Sequence, residues 1–139
     1  MSEKLTSPLP PLPPVGKWLP AVALAWLVPG GGHFLLKRHY RGAILCGCTV
    51  ILFLLGTSMR GYLFQPMTGD LLTTIIYVGG YLADMANGVL YLLAKMLGYE
   101  APDIAGHTVD YGTKLIVIAG LFNLLAIVDA FEIATGRKD

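Results

Sequence analysis

Two polar side chains, Asp84 and Asn87, lie near the centre of one long apolar stretch, residues 71–97. They are three residues apart, so a helix would place both on one face. An ionisable side chain inside a membrane span is a functional-site hypothesis by default, which makes Asp84 a candidate carrier of a proton or a cation. The alternative is a buried hydrogen-bonded pair that orients helices, with Asn123 of the last apolar stretch as its partner.

A second polar pair, Asp129 and Glu132, has the same spacing near the C-terminal end of the chain. Two carboxylates are suited to binding a cation or to acid–base chemistry. No H-E-x-x-H pattern and no third ligand accompany them, and the alternative is interfacial ion pairing with Arg137 and Lys138. We therefore predict no catalytic residue and no cofactor.

A glycine-rich turn followed by a basic cluster forms the third candidate site. Glycines expose backbone N–H groups, and a basic turn at the level of lipid headgroups suits phosphate. The spacing of a nucleotide-binding P-loop, G-x-x-x-x-G-K-[ST], is absent. The residues proposed to contact a lipid headgroup or a phosphate are Gly31, Gly32, His33, Lys37, Arg38 and Arg41. The alternative is a positively charged turn that sets the topology beside a flexible hinge.

The composition indicates an integral membrane protein. Of the 139 residues, 55% are hydrophobic and 14% are charged, whereas soluble domains carry about 25% charged residues. A single soluble core of this size could not hide so much apolar surface. The net charge of +1 provides no electrostatic basis for binding nucleic acid. His33, His39 and His107 lie at no known ligand spacing, so no metal site is predicted.

The apolar segments predict an all-α membrane bundle of about four transmembrane helices. These helices are expected over residues 18–36, 42–59, 71–97 and 111–135. They form a single transmembrane domain, residues 17–139, behind a disordered proline-rich tail, residues 1–16. The tail lacks a continuous apolar region, so we expect no cleaved signal peptide.

The first helix contains a break, Pro29-Gly30-Gly31-Gly32. The eleven residues from Trp18 to Val28 span only about 16 Å at 1.5 Å each, half the thickness of a bilayer core. Either the helix continues, kinked, to Leu36, or the chain turns back. The kinked span is the prediction. With four spans, the ten Lys and Arg residues divide equally between the two sides of the membrane. The turn at 37–41 carries three of them within five residues, and this density predicts that the turn is cytoplasmic and that both termini lie outside.

Small residues four apart predict faces for close contact between helices. Ala43 and Gly47 form such a face in the second segment, and Gly79 and Ala83 form another in the third. Small side chains at this spacing allow helix backbones to approach closely in a membrane.

Three sequence patterns together resemble one family over most of the chain. They are Ala-Trp-Leu-Val-Pro-Gly-x-Gly-His at 25–33, Tyr-Gly-Thr at 111–113, and Ala-Gly-Leu-x-Asn-Leu-Leu followed by Asp-Ala-x-x-Ile-Ala-x-Gly-Arg within 119–137. The family is an uncharacterised bacterial family of multi-pass membrane proteins, domain of unknown function 6677. The resemblance implies a small multi-pass protein of the bacterial inner (plasma) membrane and attaches no activity to it.

A second, shorter likeness covers residues 25–60 and is to the two-transmembrane domain family. In that family a glycine-rich element, an aromatic residue and a basic turn precede a second helix. The residues in comparable places are Gly32, His33, Phe34, Arg38 and Gly42.

Two classes of function remain open. The first is a non-catalytic structural or accessory subunit of a membrane assembly, whose partners are the lipid bilayer and either another protein or further copies of this chain. The alternative is an oligomeric unit that transports protons, cations or small solutes and uses Asp84. No sequence motif indicates an enzyme.

Overall fold

The computed structural model describes residues 11–101 and 106–137, and all regular structure in these ranges is α-helical. In chain order the helices are α1 Val15–Leu27, α2 Gly31–Leu35, α3 His39–Ser58, α4 Leu71–Met85, α5 Val89–Met96 and α6 His107–Ala134. The prediction of an all-α membrane bundle is confirmed, because α3 and α6, with 20 and 28 residues, are long and apolar enough to cross a membrane. Residues 1–10 of the predicted tail lie outside the described residues, and α1 already begins at Val15.

The two spanning helices, α3 and α6, cross closely where both carry glycine. A Cβ atom on Gly56 of α3 would lie 2.8 Å from the carbonyl oxygen of Gly112 in α6, and one on Gly112 would lie 2.8 Å from the nitrogen of Gly61. Small residues at a crossing are typical of membrane helices, where contact between backbones replaces the hydrophobic effect as the driving force. Next to this crossing lies the buried apolar core of Phe53, Ala94, Ile116 and Ala119.

The first predicted helix is not a kinked span, because the chain turns back after α1. In a continuous helix Ala21 and Gly32 would lie about 16 Å apart. Instead, a Cβ atom on Gly32 would lie 2.5 Å from the carbonyl oxygen of Ala21 and 2.7 Å from the Cβ of Ala25. Helices α1 and α2 therefore form a short hairpin, the α1–α2 hairpin, whose turn is at 28–30. The side-chain-free surface of Gly32 allows α2 to pack directly on α1.

The third predicted helix is also broken. Helices α4 and α5 meet at an angle of 99° across the turn at 86–88. The rings of Tyr81 and Tyr91 stack edge to face with centroids 6.5 Å apart. Beyond α5, the hydroxyl of Tyr99 donates a hydrogen bond of 2.8 Å to the carbonyl oxygen of Gly61, just after α3. Residues 71–99 therefore form a second hairpin, the α4–α5 hairpin, which returns toward the end of the bundle where α3 finishes.

The turns of the two hairpins meet near the middle of α6. The indole Nε1 of Trp26 donates a hydrogen bond of 3.0 Å to the carbonyl oxygen of Met85. A Cβ atom on Gly88 would lie 1.8 Å from the carbonyl oxygen of Trp26, so the two turns are in direct backbone contact. Beside them, Asn123 of α6 donates a hydrogen bond to the carbonyl oxygen of Ala86. Irregular backbone at membrane depth is tolerated where protein covers it, which is the case at this junction.

Two glycines of the predicted close-packing faces are open within the described chain. A Cβ atom on Gly47 or on Gly79 would meet nothing within 4 Å. Ala83, by contrast, is buried against Gly120 of α6. The intramolecular close contacts thus use other glycines than those singled out by spacing alone.

The hairpins place both ends of the described chain on one side. Trp18 packs its ring against Phe131 with centroids 5.1 Å apart, and Arg41 contacts Asp129. We call this side, with His33, the Asp129 end, and the opposite side, with Gly61, Tyr62, Tyr99 and Thr113, the Gly61 end. For the described residues, the predicted separation of the basic turn from the two ends of the chain is therefore wrong.

The redistribution of basic residues breaks the tie in charge between the two sides. Among the described residues, those at the Asp129 end are Lys17, Lys37, Arg38, Arg41 and Arg137, and those at the Gly61 end are Arg60, Lys95 and Lys114. Cytoplasmic segments carry the excess of Lys and Arg in membrane proteins. We therefore expect the Asp129 end, with both ends of the described part of the chain, to face the cytoplasm.

Labelling of introduced cysteines tests this orientation. In a chain with Cys46 and Cys48 replaced by serine, an impermeant maleimide added to intact cells should label Met67→Cys and should spare Gly16→Cys and Tyr40→Cys. All three positions are exposed in the structure. Permeabilised cells, in which all three should react, provide the control. Labelling of Gly16→Cys but not of Tyr40→Cys would contradict the hairpin and restore a kinked first span.

Candidate functional site

The interior polar cluster lies where α4, α6 and the segment after α3 come together. Asp84 is fully buried, as expected of an acid that faces protein and not lipid. Its Oδ2 accepts a hydrogen bond of 2.6 Å from the backbone N–H of Phe64. The ring of Phe64 lies over the bare surface of Gly80, where a Cβ atom would be 2.5 Å from it. The acid thus anchors the chain that leads from α3 to α4.

Asn87 and Asn123 are fully buried but do not bind the Asp84 carboxylate, which corrects the predicted network. The Nδ2 of Asn87 donates to the backbone carbonyl oxygens of Asp84 and of Ile116, each at 3.2 Å. The Nδ2 of Asn123 donates to the carbonyl oxygen of Ala86 at 2.7 Å. Both amides therefore donate to backbone carbonyl oxygens, two of them at the turn between α4 and α5 and one on α6.

The break between α4 and α5 explains why a side-chain amide bonds to the backbone at this turn. The last turn of a helix leaves carbonyl oxygens without intrahelical partners, and in a membrane no water replaces them. Side-chain amides supply donors at that point. Asn87 and Asn123 thus hold the turn between α4 and α5 in place, and Asp84 holds the segment between α3 and α4. Asn87-Gly88 is itself a turn signal, which the apolar pattern of residues 71–97 concealed in the sequence.

The second cluster lies at the Asp129 end and joins three helices. The Nε2 of His33, which is fully buried, lies 2.7 Å from Oδ2 of Asp129, 96 residues later in the chain. The guanidinium of Arg41 lies 3.5 Å from the same oxygen. The pair His33–Asp129 connects α2 to α6, and the contact of Arg41 with Asp129 connects α3 to α6.

The predicted phosphate site is divided by the fold. Gly31, Gly32 and His33 are buried between helices, so their backbone N–H groups do not face a ligand. Lys37, Arg38 and Arg41 are exposed at the Asp129 end. The glycines pack against α1, which is compatible with the alternative of a hinge beside a basic turn. Only the three basic side chains remain available to a lipid headgroup.

The pair Asp129 and Glu132 projects from the last two turns of α6. Asp129 pairs with His33 and Arg41, whereas Arg137 forms no ion pair with either carboxylate within the described residues. The other expected partner, Lys138, lies outside the described part of the chain. Both carboxylates line one lateral groove together with Arg41. Across residues 11–101 and 106–137, no three His, Cys, Asp or Glu side chains come together as metal ligands.

Two aromatic residues carry contacts that spacing did not reveal. Tyr99 donates to the carbonyl oxygens of Gly61 and Thr57, at 2.8 and 3.3 Å. Burial raises the pKa of its phenol above the ordinary value, so the phenol stays protonated and remains a donor. Trp26, by its bond to Met85, links the two hairpin turns. Tyrosine and tryptophan usually find a partner when partly buried, but their partners lie far away in the sequence.

The comparison with known families agrees with the resemblance drawn from the three sequence patterns. A family model described as a family of unknown function, DUF6677, matches residues 20–139, which include most of α1 and all of α2 to α6. No curated protein and no solved structure matches the chain. Because the family model matches far more than half of its length, the chain belongs to the family of unknown function DUF6677.

Proposed function

We propose that this protein is a non-catalytic accessory subunit of the bacterial inner membrane, and that it receives a helix of a larger membrane protein in the groove between α4 and α6. The observation that carries the proposal is the open, apolar floor of that groove at Gly79. A Cβ atom there would meet nothing within 4 Å, although the residue lies on a helix that is otherwise packed against α6. Such small residues permit close approach of a second helix.

The groove extends along α6. Two adjoining cavities of about 530 and 560 Å³ share Gly79, Ala83 and Leu121 in their walls. One extends toward Phe64, and the other extends to Trp26 at the junction of the hairpins. The lining is almost wholly apolar, which suits van der Waals packing between membrane helices.

The interior polar residues support the same proposal. The polar bonds of Asp84, Asn87 and Asn123 go to the backbone of this chain. Polar contacts of this kind average about 0.6 kcal/mol each in membrane proteins, so they orient helices more than they stabilise them. A bundle whose interior amides bond within the chain, and whose lateral groove is open, suits an accessory subunit.

Purification in mild detergent tests this function. The tagged protein should bring down a larger membrane protein in a fixed ratio, and Gly79→Leu, which fills the groove, should lose it. Gly47→Leu is the matched control, because a Cβ atom there also meets nothing within 4 Å, but on α3 and away from the groove. It should retain the partner. Retention of the partner by Gly79→Leu would rule out this groove as the binding surface.

A transport unit is the second candidate, and one observation favours it. Oδ1 of Asp84 is buried and has no hydrogen-bond partner among the described residues. An acid of this kind inside a span is a candidate proton or cation carrier. In the same purification, a homo-oligomer without a larger partner, with proton flux in liposomes that Asp84→Asn abolishes, would favour transport over the accessory role. Asp84→Asn should leave assembly intact in either case, because the amide oxygen still accepts the bond from Phe64.

A further inference from the structure

A lateral groove between α3 and α6 at the Asp129 end has the shape and polarity of a phospholipid site. Its volume is about 520 Å³, and its polar residues are Arg41, Asp129 and Glu132. Arg41 lies in the first turn of α3, and the two carboxylates lie in the last two turns of α6, which places all three near the membrane interface.

The apolar residues of this groove lie deeper in the bundle. Phe122 and Leu125 precede Asp129 on α6 by seven and four residues, which is about 10 and 6 Å along the helix. Leu45 follows Arg41 by four residues on α3. A groove that is polar at the interface and apolar below matches a lipid headgroup followed by an acyl chain.

The charges in the groove select among headgroups. Asp129 already pairs with His33 and Arg41. The carboxylate of Glu132 forms no ion pair within the described residues, and its negative charge opposes an anionic headgroup beside it. Arg41 is about half exposed and contacts Asp129 at 3.5 Å, which leaves several of its five N–H donors for a phosphate. Glu132 is partly exposed beside it. A cation attached to the phosphate would satisfy this carboxylate.

We propose that the groove between α3 and α6 binds a zwitterionic phospholipid whose headgroup carries a primary ammonium group, with the phosphate on Arg41 and the ammonium on Glu132. A primary ammonium donates three hydrogen bonds to carboxylates. The trimethylammonium of phosphatidylcholine donates none, and phosphatidylglycerol has no cation. The occupant is therefore phosphatidylethanolamine. This site is separate from the groove at Gly79, so either proposal can fail without the other.

Native mass spectrometry tests the site with lipids of identical acyl chains. The protein, offered equal amounts of phosphatidylethanolamine, phosphatidylcholine and phosphatidylglycerol, should retain the first about fivefold over either other lipid, as one well-placed partly exposed ion pair allows. Glu132→Gln should abolish the preference over phosphatidylcholine. Arg41→Gln should lower retention of all three. Glu100→Gln, at the Gly61 end, is the matched control and should change nothing.

The unmodified chain provides a second test that needs no variant. Retention should fall stepwise with monomethyl and dimethyl phosphatidylethanolamine, because each methyl group removes one donor. Equal retention across this series, or retention of phosphatidylglycerol at or above that of phosphatidylethanolamine, would overturn the proposal. A preference that persists in Glu132→Gln would overturn the assignment of the ammonium to that carboxylate.

Discussion

A single methyl group at Gly88 is expected to lower the free energy of unfolding by about 3 kcal/mol or more, because it forces apart the two hairpin turns. The added Cβ would lie 1.8 Å from the carbonyl oxygen of Trp26 and 2.8 Å from that of Leu27. Both obstacles are backbone atoms, which cannot rotate away as a flexible side chain does. Gly88 also has a φ of +63°, which side chains rarely adopt.

Gly98→Ala is the control that separates the steric clash at Gly88 from the cost of its positive φ. Gly98 has a φ of +69° and nothing within 4 Å of an added Cβ, so it carries only the backbone cost, about 1 kcal/mol. Unfolding by SDS in mixed micelles, followed by circular dichroism, measures both variants. Equal and small losses for the two substitutions would mean that the hairpin turns do not touch.

Gly120→Ala is expected to destabilise the bundle by a comparable amount, about 3 kcal/mol, by separating α4 from α6. The new Cβ would lie 1.7 Å from the carbonyl oxygen of Ala83 and 3.1 Å from Nδ2 of Asn87. Moving α4 outward would also break the hydrogen bonds that Asn87 and Asn123 make between these helices.

The matched control for this change is Gly47→Ala, since both glycines lie in spanning helices. A Cβ on Gly47 meets nothing within 4 Å, so alanine there should be neutral or should stabilise by up to about 1 kcal/mol through its better helix propensity. Thermal unfolding in one detergent, with elution volume as a check on assembly, compares the two. If Gly120→Ala melts at the same temperature as Gly47→Ala, the contact between Gly120 and Ala83 is absent.

The sequence alone was sufficient for the class of the protein, for its family and for the two spanning helices. The second and fourth predicted segments correspond to α3 and α6, with starts about three or four residues earlier than expected. These predictions succeed because a bilayer contains no water, so every backbone group must bond within its own segment. This requirement acts within each segment, so an apolar run between two charged turns is enough to predict a spanning helix.

The direction of the chain after each break depended on tertiary structure. Pro29 and the glycines marked a break, but a kinked span and a hairpin are equally compatible with that pattern. The hairpin exists because Gly32 packs on Ala21, Ala25 and Ala130, and no local feature specifies that surface. At Gly88, the long apolar run of residues 71–97 led to the prediction of one continuous helix, although Asn87-Gly88 is a turn signal and the chain does turn there.

Burial of the polar residues could be anticipated, whereas their partners could not. An acid inside a span must face protein, because lipid contact would cost about 3 kcal/mol or more, and Asp84 is buried accordingly. That its partner is the N–H of Phe64, and that Asp129 pairs with a histidine 96 residues away, follows only from how the hairpins fold back. Local rules determine which residues must be satisfied, and the three-dimensional arrangement of the helices decides which groups satisfy them.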